Sequence, residues 1–258
     1  MYRLMLVFLA VTAAAQTQPE VRFLLLAPSP YTQRHDAFRA GCGILLSLAR
    51  LMREHSLPLR ATFRDAVPAL ENAEKAKALV RGAQVLVFGA STWAQGSAQY
   101  PRRFFELVDA ENLAGVSATA WATAGGDHTG GETVIADTLR TLLGMGAQVF
   151  SLGQKYMVFT TGERFEPRTE GEFTLLDCWF MDRFARNIAV IALAGGDREK
   201  AASLCKRLDF TPIYWNNFPK DEASIAGRYR ELRNRLNAAA NPKSEQYRGL
   251  RALLTPDP

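Results

Sequence analysis

Between residues 21 and 196 the chain alternates, five times over, between a short apolar run of strand length and a segment whose apolar residues recur at helical spacing. The continuous apolar run at 21–27 is followed by Phe38, Cys42, Leu45, Leu46 and Ala49 on one helical face. An extended segment at 59–63 precedes a helix predicted around 72–80. Val85-Leu86-Val87-Phe88 then reads as a fully buried strand, before a helix with Pro101 in its first turn and Phe104, Leu107 and Val108 beyond. A strand at 116–121 leads to a helix with Ile135, Leu139, Leu142 and Leu143 on its apolar face, stopped by Gly144 and Gly146. The last unit joins a strand at 147–152, through a long polar loop at 153–172, to an amphipathic helix marked by Leu176, Phe180, Phe184, Ile188 and Ile191, with Gly195-Gly196 at its end.

Strands separated by helices pair in parallel through right-handed crossovers. The expected fold class is therefore α/β: a doubly wound, five-stranded parallel sheet in a three-layer sandwich. A chain of 258 residues that is 48% hydrophobic and 22% charged can fill such a core. Ligands of doubly wound sheets bind beyond the carboxyl ends of the strands, where the strand order reverses. Function is thus expected in the loops at 28–35, 90–99 and 123–131.

The flanking segments divide the chain into three. Residues 1–18 combine Arg3, an apolar run at 4–11 and Ala13-Ala14-Ala15, the layout of a cleavable export signal, with cleavage expected near Ala15. The apolar run is well short of the ~20 residues of a spanning helix, so no stable membrane span is expected and an uncleaved anchor is the weaker reading. No cysteine lies near the cut and no twin arginine precedes the run, so the mature chain is expected to be exported unfolded and without a lipid, to periplasm or medium. Residues 19–196 form the α/β domain. Residues 197–258 are read as a helical C-terminal extension packed on it, with helices at 201–208 and 224–239 around a stretch at 210–219 rich in Pro and aromatics.

The formal net charge is +5, and much of the excess follows Asp197, where Arg228, Arg230, Arg233 and Arg235 line up. Few aromatics accompany them, so a solvated helix face is preferred to a surface for nucleic acid or anionic lipid. Cys42, Cys178 and Cys205 are far apart and allow one disulfide at most; Cys42 and Cys178 fall on apolar helix faces and read as small buried side chains. Three histidines leave little material for a zinc site.

In the first loop, Pro28-Ser29-Pro30-Tyr31-Thr32-Gln33-Arg34-His35, hydroxyls and a helix start can hold a phosphate monoester; the alternative is a capping loop without a ligand. The Gly-Lys-Ser/Thr ending of a P-loop and the glycines of a dinucleotide fingerprint are both missing, which disfavours ATP and classical NAD domains. The second loop, Gly89-Ala90-Ser91-Thr92-Trp93-Ala94-Gln95-Gly96, sets small and hydroxyl residues beside an aromatic that either stacks on a planar ring or covers the core edge. The third, Gly125-Gly126-Asp127-His128-Thr129-Gly130-Gly131-Glu132, brackets an acid and an imidazole between glycine pairs, where the main chain can approach a flat or phosphorylated ligand. His128 is suited to donate a hydrogen bond to a reduced anionic ring or a quinone oxygen, against the alternative of an exposed, inert side chain.

With the phosphate-type first loop, the strand-end segment up to Gly96, the run His128-Thr129-Gly130-Gly131-Glu132-Thr133 with Leu142-Leu143 and Gly146 downstream, and the stretch 177–189 with Arg183 and Arg186, the chain resembles the flavodoxin-like NAD(P)H:quinone oxidoreductases and FMN reductases over residues 21–196. The resemblance implies a flavodoxin-like fold that binds FMN. Carried over by position, Ser29, Tyr31, Thr32 and Gln33 hold the phosphate. Ser91, Thr92, Trp93, Ala94 and Gly96 border the isoalloxazine, and Thr123, Ala124, Gly125, Gly126 and His128 line its other edge. It further implies electron transfer from NAD(P)H or another donor to a quinone or other small acceptor, and self-association into homo-oligomers. The alternative is an exported flavodoxin-like domain that has lost FMN and binds a small molecule or a protein.

Overall fold

The computed structural model describes residues 18–27, 32–92, 99–124, 130–151, 158–160, 172–211 and 218–254. The elements run β1 (Glu20–Leu25), α1 (Thr32–Glu54), β2 (Arg60–Asp65), α2 (Ala73–Val80), β3 (Val85–Ser91), α3 (Gln99–Leu107), α4 (Ala110–Leu113), β4 (Ser117–Ala124), α5 (Gly131–Gly144), β5 (Gln148–Val149), β6 (Val158–Thr160), α6 (Leu175–Ala194), α7 (Arg198–Arg207), α8 (Ala223–Ala238) and α9 (Glu245–Arg251). The sheet order is β2-β1-β3-β4-β5, and every pairing among the described residues is parallel. Helices α1 and α6 pack together on one face; α3 and α5 lie on the other with α2 beside them.

Each face has an aromatic centre. Under α1, Phe23, Phe63 and Trp121 meet edge to face or tilted at about 6 Å, and Phe38 stacks on Phe63. On the opposite face Phe88 meets Phe104 and Phe105 of α3. Successive strand residues point to opposite faces, so Thr119, Trp121 and Thr123 of β4 share the α1 side, while Ala118, Ala120, Ala122 and Ala124 give α5 a smooth surface for close packing. Trp121 is fully buried, lies over Gly89 and donates from Nε1 to the carbonyl of Ala37 in α1 at 3.1 Å. A Cβ on Gly89 would stand 2.0 Å from the indole, so only glycine fits beneath it.

Two expectations are corrected. The strand at 147–152 shrinks to the two residues of β5, and β6, inside the segment read as a loop at 153–172, pairs farther along β4. An edge strand gains hydrogen bonds on one side only, and two or three residues carry no periodic signal. Leu143 does not belong to the apolar face of α5: it is 64% exposed, because the buried stripe follows Ile135, Thr138, Leu139 and Leu142 and the next residue turns about 100° away. Cys42 and Cys178 are buried free thiols whose pKa burial pushes up, and Cys205 is a half-buried free thiol. Among the described residues no helix is long and apolar enough to cross a membrane.

The C-terminal helices pack on the α1 face, α7 and α8 against α6, and α8 also against α1. They are joined to it by a buried polar cluster. Asp182 of α6, 1% exposed, accepts from Arg50 of α1 at 2.6 Å, from Arg186 at 2.9 Å and from the Tyr229 hydroxyl of α8 at 2.9 Å. Arg186 also donates to the carbonyl of Leu208 at the end of α7.

Candidate functional site

The strand order reverses between β1 and β3. From β1 the chain leaves to α1 on one face, and from β3 to α3 on the other, which opens a crevice at their carboxyl ends. The β1–β3 pairing continues one residue past the strand through Leu26 N–H to Gly89 O at 2.7 Å, so the floor of the crevice is tightly closed. Ser91 stands in register with Thr123. Thr92 then hooks the end of β4 twice, donating both its N–H (2.9 Å) and its hydroxyl (2.6 Å) to the carbonyl of Thr123.

The Thr123 hydroxyl itself is buried and makes no hydrogen bond among the described residues. By strand alternation it lies on the α1 side, two residues past Trp121, at the rim. A buried hydroxyl without a partner costs about 1–3 kcal/mol, so its position favours a ligand atom that can pair with it. Ser91, Thr92 and Thr123 are all buried, and together they offer neutral hydroxyls and main-chain groups. That chemistry fits the neutral carbonyl and ring-nitrogen edge of a flavin better than a free multivalent anion.

The helix after the third loop adds to this. Helix α5 is preceded by Gly130 at φ +95°, a left-handed conformation that favours glycine, and among the described residues no side chain caps its first N–H groups. By contrast, Thr174 and Asp177 form a reciprocal capping box at the start of α6, and Asn72, Asp197 and Ser244 cap α2, α7 and α9.

Of the residues assigned from sequence, Ser91, Thr92, Thr123 and Ala124 come together at the carboxyl ends of β3 and β4, and Thr32 and Gln33 form the first turn of α1. Ser29, Tyr31, Trp93, Ala94, Gly96, Gly125, Gly126 and His128 lie outside the described residues.

Sequence reasoning missed the side chains with which the C-terminal helices brace this rim. Tyr247 of α9 shares a 2.7 Å hydrogen bond with Nδ1 of His35 in the first turns of α1 and packs on Phe38. Arg39, fully buried, bonds Asp36 at 2.5 Å and the Leu236 carbonyl of α8 at 3.0 Å, with its guanidinium over the Phe173 ring. Asn237 exchanges two 2.9 Å hydrogen bonds with the main chain of Phe173, next to the cap of α6. Lone polar residues on otherwise amphipathic helices gave no signal of these long-range contacts.

A parallel sheet in the order 2-1-3-4-5, with helices on both faces and a crevice between its first and third strands, is the flavodoxin-like fold. No family model matches the chain, and no curated protein matches it in sequence. Among solved structures, it is similar to an oxidoreductase from Corynebacterium diphtheriae, with TM-score 0.52 and 18% identity over 69% of this chain and 98% of that one. It is also similar to a flavodoxin, WrbA-like protein from Agrobacterium tumefaciens, with TM-score 0.46 and 13% identity over 69% of this chain and 99% of that one.

Proposed function

We propose that the chain is an exported, flavin-dependent oxidoreductase that holds FMN in the β1/β3 crevice and passes electrons from NAD(P)H or another donor to a quinone or other small acceptor. The buried Thr123 hydroxyl at the carboxyl end of β4, beside β3 of the crevice and without a partner among the described residues, carries this reading. Thr92 locks the ends of β3 and β4 together, so Ser91 and Thr123 are held ready along one ring edge. Ser29, Tyr31, Thr32 and Gln33 are assigned to the phosphate, Trp93, Ala94 and Gly96 to the ring border, and Ala124, Gly125 and Gly126 to its other edge. Bound flavin supplies the hydride and electron chemistry itself. His128 donates a proton or hydrogen bond at the ring or acceptor oxygen, and no nucleophile is required.

Purified protein is expected to be yellow, or to quench the fluorescence of added FMN. Thr123→Val, which keeps the shape and deletes the hydroxyl, is expected to weaken FMN binding about tenfold without lowering the melting temperature of the flavin-free chain. Colourless protein with no affinity for added FMN would reject the proposal in favour of a domain that has lost its cofactor. His128→Ala is expected to slow quinone turnover by about a hundredfold, within the range of acid–base contributions, while FMN affinity changes little. An equal loss of both would assign His128 to binding alone.

A further inference from the structure

The arginines of the C-terminal extension meet others that the sequence places nearly two hundred residues away. Ser47, Arg50 and Arg53 on one face of α1 confront Arg228, Glu231 and Arg235 on one face of α8 across a groove of about 150 Å³. Arg50 is committed to Asp182 beneath it and lies 3.7 Å from Glu54. Arg53, Arg228 and Arg235 are exposed and have no carboxylate within ion-pair distance among the described residues. Ser47, 2% exposed at the floor of the groove, has a hydroxyl with no hydrogen-bond partner among the described residues. Like-charged guanidiniums gathered along two packed helices repel one another, and an unpaired buried hydroxyl adds a further penalty. An anion seated between them relieves both.

We propose that the α1/α8 groove is a binding site for a phosphate group, as a free phosphomonoester or at a lipid headgroup. A tetrahedral anion accepts hydrogen bonds from both walls at once, whereas a flat carboxylate is satisfied by a single arginine fork. The groove holds roughly five water volumes, enough for the five heavy atoms of phosphate. It is separate from the flavin crevice: at 1.5 Å per residue, Arg50 stands about 27 Å along α1 from its first turn. Among the described residues, the only opposing charge lining it is Glu231. The site joins the extension to the main domain, so its occupant clamps α8 onto α1.

The full-length protein is titrated with inorganic phosphate by calorimetry, beside Arg53→Gln/Arg228→Gln and Glu231→Gln variants whose melting temperatures are first measured in chloride. The double variant is expected to bind phosphate at least about tenfold more weakly while melting no lower in chloride. Glu231→Gln is expected to bind more tightly, since it removes the repelling carboxylate. Phosphate held at the flavin loop would be identical in all three proteins, so differences among them report the groove alone and FMN binding is scored separately by fluorescence. Sedimentation with phosphatidic acid vesicles, against phosphatidylcholine vesicles, tells a headgroup ligand from a soluble one, and loss of either response in the double variant supports the site. Equal phosphate and vesicle binding by wild type and double variant, or none by wild type, overturns it.

Discussion

Asp182→Ala is expected to lower the melting temperature by roughly 10 °C, from a destabilisation of about 3–5 kcal/mol. The carboxylate is 1% exposed and satisfies two arginines and a tyrosine from three helices. Its removal strands the guanidinium of Arg186, itself 3% exposed, and leaves the Tyr229 hydroxyl without its acceptor. Burial alone would raise the pKa of Asp182, but the charges of Arg186 and Arg50 and the Arg186 hydrogen bond override it and hold the group below its ordinary 3.8. A depressed carboxylate contributes stability that is fully present above that ordinary value and is lost as pH falls toward the lower, folded value. The wild type is therefore expected to lose stability steeply below about pH 4, and the variant less so. Calorimetric melting of both proteins across that window checks the claim, and parallel curves would refute it.

Trp121→Ala is expected to destabilise the chain by about 3–5 kcal/mol, read from denaturant unfolding. The indole is fully buried among Phe23 and Phe63, and its N–H is bonded to α1. Its loss opens a cavity between sheet and helix and frees the start of α1 that leads into the first loop. Gly89→Val attacks the same contact from below, since its Cβ would stand 2.0 Å from the ring. Gly89→Val in a Trp121→Ala background should therefore be far milder than alone, and simple additivity of the two changes would contradict the packing described.

The central strands were legible because a parallel strand covered on both faces reads as an unbroken apolar run, as in Val85-Leu86-Val87-Phe88, buried throughout. The major helices were legible from their apolar stripes, and their order then located the rim where Ser91, Thr92, Thr123 and Ala124 meet. β5 was legible as a strand but drawn too long, and β6 was not legible, since edge pieces of two and three residues gain their place from pairing with β4 rather than from their own pattern. Nor was α9, a seven-residue helix whose anchor is Tyr247 against His35 and Phe38. The Thr123 hydroxyl was named from position, but that it is buried without a partner among the described residues depends on the packing around it. The α1/α8 groove was invisible for the same reason: Arg228 and Arg235 read as a solvated face until Arg50 and Arg53 stand opposite.

The embrace of Arg39 by Leu236, Asp36 and the Phe173 ring bears on how such a chain can be shortened. Trimming the polypeptide near residue 197 would uncover a guanidinium at the heart of the first helix and release Phe173 from Asn237. A boundary drawn there follows a change of sequence character and severs these contacts. The last helices thereby act as a splint for the helix that borders the crevice.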